Sequence, residues 1–201
     1  MATLTTPTTG TTVPPGLFRF GRASGIAAGA LIGVPGAIEG FTGETAPTST
    51  LVGVSPALAF PFLIALYLRH AHPRDRFALT AFATNLIGLG LFGASAFTLN
   101  LALFHLPQPA LQTLLEGPTR PALFASAALF AVGSVLFGAF LIRSRTAPTV
   151  ASWLYTGAFP LFALLAPLPD SPLTSALHAV VGTAVVWLSL DLGRHRSDPA
   201  A

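Results

Sequence analysis

There is no cysteine among the 201 residues of this chain, and no lysine. Without thiols, a disulfide framework, a thiolate nucleophile, a Cys-ligated zinc and an iron–sulfur cluster are all excluded. Charge of either sign is scarce as well. Asp, Glu, Lys and Arg make up 8% of the residues, against about 25% in a soluble globular chain. With 52% apolar residues and a mean hydropathy of +0.71, so few ions cannot clothe a water-facing surface. The sequence is that of an integral membrane protein whose first partner is the lipid bilayer. The net charge of +3 comes from arginines that flank apolar runs, which speaks for membrane topology and against a nucleic-acid partner. Abundant Ala, Gly and Pro with little Asn is a bias of the kind GC-rich bacterial genomes produce, and a cell (cytoplasmic) membrane is the expected location.

Six apolar runs fill the rest. A spanning helix needs roughly 20 apolar residues, because the hydrocarbon core is about 30 Å thick and each residue rises about 1.5 Å. The runs cover residues 23–41, 50–68, 77–104, 121–142, 149–168 and 173–192, and none shows the polar–apolar alternation of a barrel strand. The expected fold class is therefore an all-α membrane protein with six transmembrane helices and short loops. Ser171 before Pro172 reads as an N-cap and first helical residue, and Thr119 with Pro121 as a similar start. The segment 109–116 (PALQTLLE) places Leu111, Leu114 and Leu115 on one side and reads as a short interfacial helix.

Arginine placement gives the orientation. With the N-terminus inside, Arg19, Arg22, Arg69, Arg74, Arg76, Arg143, Arg145, Arg194 and Arg196 fall on the cytoplasmic side and only Arg120 lies outside. Tyr67, Trp153, Tyr155 and Trp187 fall toward the same ends, so the topology is read as N-in, C-in. Residues 1–18, rich in Thr and Pro, are expected to be a disordered cytoplasmic tail. Residues 19–196 then form the six-helix transmembrane domain, and 197–201 a C-terminal tail. Glu44 and Pro47 beside Ala46 argue against a signal-peptide cleavage site after the first run.

Within this frame a few residues stand out. Gly25, Gly29 and Gly33 repeat every four residues and give the first helix a bare face for close helix approach. That face would serve packing inside the bundle, or a homo-oligomer or other membrane-protein partner. Glu39 sits in a turn loosened by Pro35, Gly36 and Gly40, and a carboxylate at membrane depth is a functional candidate by default. His105, Glu116, Asp170 and His178 are expected on the same outer side. Together they form an outer polar cluster that could bind a divalent ion or relay protons, or simply pack at the interface. No close-spaced ligand pair such as His-x-x-x-His supports a metal. His70 and His72 belong to a charged turn, Asn85 and Asn100 are candidates for interhelical hydrogen bonds, and Asp191 is placed to meet Arg194.

No facing pair of intramembrane histidines is present for haem, and no Ser-His-Asp order or phosphate-binding loop is found. No catalytic residue, cofactor or metal is therefore expected. The motifs Ala59-Phe60-Pro61-Phe62 and Ala158-Phe159-Pro160-Leu161 lie in the middle helix of each three-helix half. They suggest a 3+3 inverted repeat, as in transporters with proline-broken helices.

Arg143-Ser144-Arg145, Pro148, Trp153, Leu177-His178 and Gly182 through Trp187-Leu188 together resemble the closing helices of uncharacterised bacterial multi-pass membrane proteins of actinobacterial type. The resemblance covers roughly residues 130–196 and departs at Thr149-Val150, where a basic–aromatic pair is expected. It implies a multi-pass topology and transfers no site residue. Two functions are expected from all this: a non-enzymatic structural or accessory protein acting through helix–helix contact, and alternatively a small-molecule or lipid permease built on the inverted repeat.

Overall fold

The computed structural model describes residues 14–72, 74–166 and 171–194. The readings placed on the first thirteen residues, on Asp170 and on the C-terminal tail lie outside them. Among the described residues the chain is all-helical, with seven α-helices and no strand. These are α1 (Pro15–Thr42), α2 (Ala46–His70), α3 (Arg76–Phe97), α4 (Gln108–Glu116), α5 (Thr119–Ser144), α6 (Thr149–Leu165) and α7 (Pro172–Asp191). A π-helical stretch, Thr98–Leu103, continues α3 without a break. Five helices are long and apolar enough to cross a membrane: α1, α2, α3 with its π extension, α5 and α7. The fifth expected run, α6, is shorter, with 17 helical residues, or about 25 Å at 1.5 Å per residue.

The helix ends follow local chemistry. Thr45 and Thr48 form a reciprocal capping box at the start of α2, each side-chain oxygen accepting the other's backbone N–H. This opens α2 four residues before the apolar run does. Ser171 and Thr174 do the same for α7, with Pro172 in the first turn as expected. Asp75 caps α3 by accepting from the Ala78 N–H at 3.1 Å. Thr119 does not cap α5, because it lies inside the first turn and Pro118 holds the N-cap position without a side-chain bond. At its other end α5 stops at Arg145, whose φ of 55° is left-handed. The first helix departs most from expectation. It begins at Pro15, so residues 15–18 are helical and not part of a tail, and Arg19 and Arg22 sit on the helix itself.

The six long helices close into a ring in the order α1, α2, α3, α5, α6, α7 and back to α1, with α4 lying against α5. Glycine brings the backbones of two pairs especially near, α1 with α7 and α3 with α5. A side chain at Gly29 would come within 2.6 Å of the Gly182 carbonyl oxygen. One at Gly88 would come within 2.6 Å of Phe130 Cα, and one at Gly133 within 2.5 Å of Asn85 Cα. Backbones this close leave no room for a Cβ, and they place extensive van der Waals contact between the helices. The bare face of Gly25, Gly29 and Gly33 is thus filled from within the chain, by Ser189, Val185, Val186 and Gly182 of α7 and by Phe62 of α2.

Aromatic rings fill the axis. Phe162, Phe92, Phe130, Phe159, Tyr155, Phe137 and Phe140 follow one another with centroid separations between 4.0 and 6.3 Å. Tyr67, stacked on Phe82 at 4.3 Å, prolongs the column toward the arginine-bearing end. Tyr155 is therefore a core residue, 3% exposed, and not the interfacial anchor its position suggests. Its hydroxyl accepts from Asn85 Nδ2 at 2.6 Å, and Ser134 donates to Asn85 Oδ1 at 3.2 Å. Asn85 thus makes the interhelical bonds expected of an amide buried away from water.

Candidate functional site

Above the aromatic column, at the end opposite the arginine clusters, the ring of helices encloses a cavity of about 910 Å³. Its floor is Phe92 of α3 and Phe162 of α6, and its walls include Ile32, Val52 and Pro56. The short helix α4 forms part of the rim through Leu111, Leu115 and Glu116. This amphipathic segment lies where the sequence places an interfacial helix, with Leu114 more exposed than its two neighbours on the apolar side.

The chain has three glutamates, and all three line this cavity. Glu39 is on the α1 side and only 7% exposed. Glu44 and Glu116 are exposed at the rim, as is Arg120, whose guanidinium carbon lies 6.0 Å from the centroid of the Phe124 ring. His178 of α7 also faces the cavity. Its ring lies edge-on to Phe162 at 4.9 Å, and Nδ1 is 2.8 Å from the Thr174 carbonyl oxygen, which can only accept. Nδ1 therefore carries a proton. The imidazole reaches this position because α1 has Gly36 beneath it, where a Cβ would collide with the ring.

Of the five residues expected to form one outer polar cluster, the structure brings Glu39, Glu116 and His178 to the same cavity. His105 is not among them. It is exposed beyond the π stretch, with its ring against Phe104. Asp170 lies outside the described residues. Among the described residues no three His, Asp or Glu side chains converge as metal ligands do.

Sequence reasoning missed Glu44 and the network it anchors. Ser49 of α2 donates to Glu44 Oε1 at 2.7 Å and lies 3.0 Å from both the Asn100 carbonyl oxygen and Asn100 Oδ1. Asn100 belongs to the π stretch, which comes this close to α2 because Gly53 offers no side chain: a Cβ there would lie 2.8 Å from Asn100 Cβ. Such π turns recur at functional sites because they displace the hydrogen-bond ladder and re-aim side chains.

The deeper hydroxyls are bound within their own helices or to one another. Ser55 donates to the Val52 carbonyl at 2.9 Å, Ser126 to that of Leu123 at 2.7 Å, and Ser95 and Ser126 are 2.9 Å apart. The interior of the cavity is accordingly mostly apolar and aromatic.

The arginine-bearing end is built differently. Asp75 forms an ion pair with Arg143 at 2.9 Å, and the Arg143 guanidinium lies over Phe77 at 5.1 Å. The N–H of Ala78 is the main influence holding the Asp75 carboxyl below the ordinary aspartate value, with burial opposing it and Arg143 assisting. His70 is buried, its Nδ1 2.6 Å from Thr146 Oγ1, while His72 is exposed, so the two imidazoles do not share a site. Asp191 and Arg194 approach to 3.9 Å. Compared with known proteins, the chain matches no family model, no curated protein and no solved structure.

Proposed function

We propose that this protein is a small-molecule permease of the bacterial cytoplasmic membrane. It would have six spans, both termini inside, and the cavity between the helices as its outward-facing binding site. The observation that carries this reading is the gathering of every glutamate in a charge-poor chain around one cavity of about 910 Å³. Ligand sites occupy roughly 300–1,000 Å³, mostly apolar with a few polar groups. Ionisable groups at membrane depth mark ligand and ion pathways. The arginine distribution supports a cavity mouth on the outer side.

The helix pairing agrees with a 3+3 design. Close pairs α1·α7 and α3·α5 exchange under a two-fold relation between halves, and so do α1·α2 and α5·α6. The middle helices α2 and α6 carry the internal prolines Pro61 and Pro160. In such folds one half rocks against the other around a central site. The aromatic column and the Asn85–Tyr155–Ser134 network would then be the closed inner gate.

Accessory function through helix–helix contact is the second reading. It would have to use the outer flank of α1, where Val34 is 59% and Phe41 92% exposed, since α7 occupies the glycine face. Alternating access separates the two readings. Ser134 is fully buried below the cavity, so in a permease a Ser134→Cys variant should become reactive to a membrane-impermeant thiol reagent in inside-out vesicles. No reaction from either face would support a static bundle and overturn the permease.

A further inference from the structure

We propose that the ligand of this cavity is an organic cation, a substituted ammonium whose apolar part lies on the Phe92 and Phe162 rings and whose charge is met by Glu39. The inference rests on the cavity being a binding site, as proposed above, and specifies its chemistry. Three carboxylates face one arginine across the cavity, and that arginine is at the rim beside Phe124. Past the rim, an anionic ligand would find the buried Glu39 and no guanidinium lining the cavity. A sugar or other hydrogen-bonding neutral molecule would find few partners at depth, since Ser55, Ser95 and Ser126 spend their hydroxyls on carbonyls and on one another.

An inorganic ion is disfavoured for a different reason. No three ionisable ligands converge among the described residues, and a bare divalent ion in apolar surroundings needs several oxygens at once. An organic cation needs one carboxylate and a face of aromatic carbon. Phe92 and Phe162, 5.9 Å apart and nearly perpendicular, offer that face, and the ring quadrupole attracts a positive charge. The other ionisable groups that line the cavity are His178 from α7, Glu44 from the segment after α1, Glu116 from α4 and Arg120 from α5.

Because the chain has no cysteine, a single Ser126→Cys substitution gives the full-length protein in proteoliposomes one reporter on the cavity wall. Benzyltrimethylammonium should slow its reaction with an impermeant maleimide, and benzenesulfonate, of similar size and opposite charge, should not. Adding Glu39→Gln should raise the half-protecting concentration about tenfold, the low end of the coupling between close opposite charges. Should that variant fail to insert, Glu44→Gln with Glu116→Gln at the rim should still raise it about threefold, by weaker, screened attraction. Equal protection by benzenesulfonate, or protection indifferent to the carboxylates, would overturn the cation and leave the cavity reading standing. A reporter that reacts but is protected by neither probe also overturns the cation. A reporter that never reacts removes the cavity reading, and this inference with it.

Discussion

Replacing Gly182 by Ala adds one methyl group at a close crossing of α1 and α7. The new Cβ would lie 2.5 Å from the Gly29 carbonyl oxygen and 2.7 Å from Gly33 Cα. Carbon atoms rest about 3.5–4.0 Å apart, so α1 and α7 would have to part by about 1 Å. Both obstacles are backbone, which cannot rotate aside, and this places the cost in the upper part of the roughly 1–3 kcal/mol range for overpacking. Alanine's better helix propensity returns about 1 kcal/mol. The net loss should be about 1–2 kcal/mol, or a fall in Tm of about 2–8 °C for a chain of this size. Gly157→Ala supplies the control, because a Cβ there meets nothing within 4 Å. It should be as stable as the parent or better by up to about 1 kcal/mol. Thermal unfolding in detergent, followed by the fluorescence of Trp153 and Trp187, measures both. A Gly182→Ala protein that melts at or above the parent temperature would refute the assignment of the α1 glycine face to α7.

Two further outcomes are expected. Asn85→Ala should lower stability by about 1–2 kcal/mol, since Tyr155 and Ser134 lose their common partner away from water; Tyr155→Phe added to it should recover part of the loss, as read from the same melts. The Asp75 carboxyl is held below the ordinary 3.8 of an aspartate in the folded protein, so the stability it contributes is fully present above that value and is lost as pH falls through the lower folded value. Asp75→Asn should therefore flatten the acid side of the stability–pH curve below about pH 4, measured by unfolding at a series of pH values; an unchanged curve would contradict the lowering of this carboxyl by the Ala78 N–H and, secondarily, Arg143.

Much of the fold is legible in the hydropathy alone, because in a bilayer every long apolar run must satisfy its own backbone. The run ends are less so. Polar residues hide helical turns, as Thr45 to Ser49 do at the start of α2 and Arg19 and Arg22 do in α1. The glycine repeat on α1 announces a close helix contact but cannot say whose, since any helix with small residues would fit, and α7 supplies them at Gly182 and Ser189. At the candidate site Glu39, Glu116 and His178 could be read as one group from depth and side of the membrane. His105 could not be separated from them. The π stretch from Thr98 inserts about one extra residue per turn, which shifts the phase of everything after it and has no signature in the residues themselves. Glu44 was not legible as a site residue because it lies just beyond a helix end, where a charge is ordinary; its place in the cavity lining and its hydrogen bond from Ser49 show only in the structure.

The central claim is that the glutamate-lined cavity opens to the outside of the cell, and the cysteine-free chain allows it to be tested with one reporter at a time. In intact cells an impermeant maleimide should label Ser126→Cys, on the cavity wall, and leave His72→Cys, exposed at the arginine-bearing end, untouched. In inside-out vesicles His72→Cys should be the one that reacts. Labelling of His72→Cys in intact cells, or a Ser126→Cys that resists the reagent there, would contradict the account.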